Sequence, residues 1–132
     1  MRRFTIISAL IAAIAAFAAI APVASASGGG TTTTAALHGS ASFPAANGKA
    51  VYKVKGSERE LQIEVEDVRS LAGMKVKVFV NGALLASPKV SNLGAIRVAR
   101  NTDNGQTVPV ISKGSTVRVR TLGGTMIASG AF

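Results

Sequence analysis

The chain contains no cysteine and no tryptophan, a single histidine, a single tyrosine and only six acidic residues. Each shortage closes off a class of function. Without cysteine there is no disulfide staple, thiolate metal ligand, thiol nucleophile or N-terminal lipidated cysteine. With His38 alone, a zinc site cannot gather its three or four ligands from the usual donors. A nucleophile–base device is equally short of parts, because a catalytic imidazole relies on positioned partners; His38 is expected to be an exposed or edge residue. Aromatic side chains make up 5% of the chain, too few for a nucleic-acid surface built on base stacking. No cofactor is implied.

What the sequence does have begins with an apolar N-terminus. Arg2 and Arg3 precede a run from Ile6 to Ala21 interrupted only by Ser8, Pro22 breaks it, and Ala24-Ser25-Ala26 follows. That is the layout of a secretory signal peptide over 1–26, cleaved after Ala26. The competing reading is a retained membrane anchor; the run is Ala-rich and falls short of the ~20 residues that span a bilayer. Cleavage would leave thirteen cations against six acids. The expected location is outside the cell, or the envelope or periplasm of a bacterium. The absence of any Asn-X-Ser/Thr sequon agrees with that origin.

Residues 27–36, SGGGTTTTAA, read as a flexible tether. From Leu37 to Phe132 the hydrophobic period is two. LQIEVED sets Leu61, Ile63 and Val65 against Gln62, Glu64 and Glu66; MKVKVFV sets Val76, Val78 and Val80 against Lys75, Lys77 and Phe79; TVRVRT sets Val117 and Val119 against Arg118 and Arg120. Such alternation predicts half-buried antiparallel strands. Asn47-Gly48, Asn81-Gly82, Asn104-Gly105 and Gly123-Gly124 supply turn dipeptides. The predicted strands are 37–43, 49–55, 60–67, 74–80, 83–87, 94–100, 107–111, 116–121 and 125–131. Seven to nine short strands with regular turns predict a single all-β domain over 37–132, an antiparallel β-sandwich of immunoglobulin-like or similar type.

One stretch is written almost twice. Aligning Gly73 with Gly114 matches Val76 to Val117, Lys77 to Arg118, Val78 to Val119 and Gly82 to Gly123. After a one-residue insertion, Leu84-Leu85-Ala86-Ser87 falls on Met126-Ile127-Ala128-Ser129. Each copy reads as a β-hairpin burying one valine face, and the pair is expected in facing sheets. The plain alternative is that amphipathic hairpins resemble one another.

Charge is unevenly distributed. Five of the six acids, Glu58, Glu60, Glu64, Glu66 and Asp67, crowd one strand, and Lys75 and Lys77 on the next strand are their expected cross-strand partners. Beyond residue 88, Lys89, Arg97, Arg100, Lys113, Arg118 and Arg120 face Asp103 alone. Arg97, Arg100, Lys113, Arg118 and Arg120 are therefore the candidate anion-binding face, suited to loose contact with anionic envelope polymers; a role in solubility alone is the bland alternative. Phe79, on the outward side of its strand, forms a candidate exposed patch if Tyr52 or Val51 lies beside it.

Two further patterns are weak. Glu64 and Glu66 point the same way, but on an open face beside cations they lack the burial that a general acid needs. NTDNG at 101–105 has oxygen ligands before a glycine but not the later bidentate acid of a calcium loop, so a plain turn is expected.

The stretches GKAVY (48–52), LQIEVEDV (61–68), VFVNG (78–82), DNGQTVP (103–109) and IASGAF (127–132) resemble a group of small, exported, all-β bacterial proteins of uncharacterised function. The resemblance implies a secreted sandwich-type module and brings no catalytic or ligand residues with it. The expected function is a non-catalytic structural or interaction module at the cell envelope, binding anionic polymers electrostatically. The alternatives are a protein–protein module acting through an exposed strand edge or apolar patch, and, less favoured, a small hydrolase. No specific nucleic-acid partner is expected, membrane contact only through an uncleaved signal segment, and the oligomeric state is open.

Overall fold

Alternating valines on successive strands bury one side of a single curled sheet. The computed structural model describes residues 30–132; the signal segment expected at 1–26 lies outside them. The strands are β1 (Gly30–Gly39), β2 (Asn47–Lys55), β3 (Glu58–Glu66), β4 (Val76–Val80), β5 (Ala83–Ala86), β6 (Ile96–Asn101), β7 (Thr116–Thr121) and β8 (Met126–Ala131). All pair antiparallel in the order β5-β4-β7-β8-β1-β2-β3-β6. Among the described residues there is no α-helix, only two short 3₁₀ turns.

The domain is all-β, as alternation predicts, but its eight strands share one nearly closed sheet, barrel-like rather than clearly a sandwich. The link is β1, which pairs with β2 along its length and with β8 at His38 and Gly39, so the two halves never separate into layers. Curling brings the outer strands β5 and β6 together at a seam. There the Arg100 guanidinium reaches across, Nη2 donating to the Leu85 carbonyl at 3.0 Å.

The interior holds Leu37, Leu61, Ile63, Val65, Val76, Val78, Ile96, Val117, Val119 and Ile127, all essentially inaccessible. Each such side chain contributes about 1.5–3 kcal/mol relative to exposure, which replaces the disulfides the chain does not have. Close approach of strands demands glycine at Gly130, where a Cβ would run into the Ala36 carbonyl of β1.

Three expectations are corrected here. Residues 30–36 are not a tether but the first part of β1, paired with Lys49–Lys55; a run of β-branched threonines beside a free strand edge adds to the sheet. Residues 107–111 form no strand, since Pro109 has no N–H to give to a ladder; the segment instead tucks Val108 and Ile111 into the core. Asn47-Gly48 opens β2 rather than making a turn, because the chain already reverses over 40–46, and Gly48 is needed because a Cβ there would strike the Glu64 carbonyl. Asn81-Gly82 is the turn expected, both residues having positive φ (51° and 83°).

The repeated stretch gives β4–β5 and β7–β8, but these hairpins lie side by side in one sheet, not in facing sheets. Antiparallel pairing sets Val76 opposite Thr121, Val78 opposite Val119 and Val80 opposite Val117, so a local twofold axis runs between Val78 and Val119. Both hairpins carry a bulge at the equivalent place. Val78 and Phe79 face Ala86 and Leu84, with Leu85 extra; Val119 and Arg120 face Ala128 and Met126, with Ile127 extra. A bulge aims two successive side chains to one side, and Ile127 and Ala128 are both buried.

Candidate functional site

The twofold between β4 and β7 decides what the outside of the barrel displays. Valine occupies the inward register, so Lys77, Phe79, Arg118 and Arg120 occupy the outward one. Lys77 stands directly opposite Arg120, and Phe79 opposite Arg118. One strand end further on, an isolated bridge sets Lys75 opposite Lys89. Directly opposed side chains have Cβ atoms about 4.5–5.5 Å apart, and like charges so placed destabilise a sheet. None of the six acids lies on β4, β5, β7 or β8 to relieve them. Arg120 satisfies part of its guanidinium locally, donating to the Gly124 carbonyl at 3.1 Å.

The acids are balanced elsewhere. β3 pairs with β2 and β6, not with β4, so the expected contacts of the acidic strand with Lys75 and Lys77 do not form. Glu64 instead lies between Lys49 and Arg97, Glu60 opposite Lys53, and Glu58 opposite Lys55. Arg97 Nη1 is 3.9 Å from Glu64 Oε2. Consequently Lys75 and Lys77 are left without acidic partners on the opposite side of the sheet order.

The candidate anion-binding residues are thus not one face. Arg118 and Arg120 belong to the cationic outer face with Lys75, Lys77 and Lys89. Arg97 sits in the acid-balanced ladder of β2, β3 and β6. Arg100 faces inward opposite Leu61 and bridges the seam. Lys113 is exposed in the loop before β7. Of the missed members of the face, Lys75, Lys77 and Lys89, only Lys77 carries a signal in the repeat itself: it matches Arg118 in the alignment, and antiparallel pairing of the two copies sets it opposite Arg120.

Phe79 is half-buried on this face, opposite both Arg118 and the exposed Leu84. Tyr52 does not join it. Its side chain is buried between Thr33 and Leu61 in the inward register of β2, with three strands intervening. At the end of the cationic face, Leu71, Met74, Lys75 and Leu122 line a depression of about 440 Å3, where Met74 and Leu122 are more than half exposed.

His38 is exposed on β1, opposite Asn47 and Ser129. Residues 101–105 form a turn in which Asn101 Oδ1 accepts from the Asp103 N–H at 2.7 Å and Gly105 closes with φ 79°. Among the described residues no group of three or more metal-ligating side chains converges. Compared with known protein families, curated proteins and solved structures, the chain matches none.

Proposed function

We infer that this protein is an exported, non-catalytic β-module that binds anionic envelope polymers through the outer face of β4 and β7, with Lys75, Lys77, Lys89, Arg118 and Arg120 as the contact residues. The observation that supports this reading is the direct opposition of Lys77 to Arg120 with no acid on either neighbouring strand. An arrangement that costs stability in the free protein is relieved when an anion lies across it. Phe79 beside Arg118 adds an apolar floor against which the repeat unit of a polymer can rest.

The test is retention of the chain on immobilised dextran sulfate and on isolated anionic wall polymer, at low and at physiological salt. The double reversal Lys77→Glu/Arg120→Glu is compared with Lys49→Glu/Lys53→Glu, which changes net charge equally but lies beside the acidic strand. Loss of retention in the first pair alone supports the face; equal loss in both reduces the effect to net charge; retention insensitive to salt removes the electrostatic reading.

A second reading, pairing with another protein through a strand edge, has its candidates in β5 and β6, each with one strand partner only. It predicts a salt-tolerant partner or self-association.

A further inference from the structure

Where β3, β5 and β6 converge, the barrel holds two guanidinium groups and no acid to neutralise either. Arg100 lies opposite Leu61, and Arg59 is two residues along the same inward face of β3. Their hydrogen-bond acceptors are neutral carbonyls: Arg59 Nη2 donates to Val108 O at 3.2 Å, and Arg100 Nη2 to Leu85 O at 3.0 Å. Arg59 Nε is buried without an acceptor. Among the described residues the one ion pair is Arg97–Glu64, so neither guanidinium has a carboxylate. Partly desolvated cations in proteins ordinarily take an anionic partner.

Beside Arg100 the seam opens into a hollow of about 420 Å3, walled by Val80, Leu84, Leu85 and Pro109, with Gln106 and Thr107 at its polar side. That volume falls within the roughly 300–1,000 Å3 of small-molecule sites. Gln106 spends its carbonyl oxygen on the Asn101 N–H at 2.9 Å, which leaves its amide NH2 to donate. Guanidinium, amide and hydroxyl donors therefore meet an aliphatic wall. The planar, two-oxygen head that a guanidinium fork matches is a carboxylate. We propose that the β5/β6 seam binds an aliphatic monocarboxylate, its head on Arg100 and its tail along Val80, Leu84, Leu85 and Pro109. Its cation is not one of the outer face, because Arg100 belongs to the inward register; the two sites meet only at Leu84.

The experiment is an NMR titration of the full chain with octanoate, using octanol and octylamine as controls of equal length and butanoate to dodecanoate to cover tail length. Octanoate is expected to move the amides of 83–85 and 100–108 saturably. Octanol binds about tenfold more weakly or worse, the factor that one lost charge-assisted hydrogen bond gives. Thr107→Asp, on an exposed loop residue, sets a fixed carboxylate beside Arg100 and lowers octanoate affinity about tenfold, with the unfolding midpoint as the check on folding. Arg100→Gln abolishes the preference for octanoate over octanol. Equal binding of octanoate and octanol, shifts confined to other residues, no saturable response across the whole series, or an unaltered Thr107→Asp variant would each overturn the proposal.

Discussion

Val78 faces Val119 across the β4/β7 ladder, and each is the counterpart of the other in the repeated hairpin. The repeat therefore places its own midpoint on a local twofold. One consequence is buried and apolar, the valine pair beneath the sheet. The other is exposed and charged, because the same axis that stacks valine on valine sets Lys77 against Arg120 and Phe79 against Arg118.

Because both valines are fully buried, Val78→Ala and Val119→Ala should each destabilise the fold by about 2 kcal/mol, through lost burial plus an unfilled cavity. As direct neighbours they should not add: the double variant departs from the sum by roughly 0.5 kcal/mol or more. Urea unfolding of the two single variants and the double variant checks this.

Lys77→Glu is expected to stabilise the protein while weakening polymer binding. It replaces a like-charge opposition with an attractive one, a gain of up to about 1 kcal/mol. The gain should shrink as salt rises, since the pair is at the surface. Urea midpoints at low and high salt, read beside retention on dextran sulfate, test it; loss of stability would count against the repulsion.

Gly130→Ala should be among the most damaging single changes, because its Cβ runs into the Ala36 carbonyl and forces β8 from β1. A loss above roughly 3 kcal/mol is expected from such a backbone clash. Gly114→Ala, at φ 93° with open space around it, carries only the left-handed penalty of about 1–2 kcal/mol. Thermal unfolding of the two variants separates them.

Asn81→Ala removes a residue that tolerates φ 51° and two contacts to the start of β7: Oδ1 accepts from the Thr116 N–H at 3.0 Å and Nδ2 donates to Ser115 Oγ at 3.3 Å. A cost of about 1–2 kcal/mol follows, with hydrogen exchange faster at Thr116.

Arg97→Ala should change stability by less than about 0.5 kcal/mol, since its ion pair with Glu64 is long and solvent-exposed. A double-mutant cycle with Glu64→Gln measures the coupling.

Much of this architecture was legible before the fold was seen. Period-two alternation in LQIEVED, MKVKVFV and TVRVRT identified which side chains are buried, because a strand can hide only every second residue. The Asn81-Gly82 turn followed from two residues that accept positive φ. Even the match of Leu85 to Ile127 was visible, and these are the residues that the two bulges add; the one-residue insertion itself falls in the second turn, at 124–125. What alternation does not encode is which strand lies beside which. Acidic β3 and the Lys75/Lys77 strand are neighbours in sequence, yet long connections carry their pairing to different partners, β2 and β6 for one, β5 and β7 for the other. Neighbour choice alone decided that Arg97 is balanced, that Arg100 closes the seam and that Lys77 confronts Arg120. Local sequence sets the face a side chain takes; only the closing of the sheet sets what it meets there.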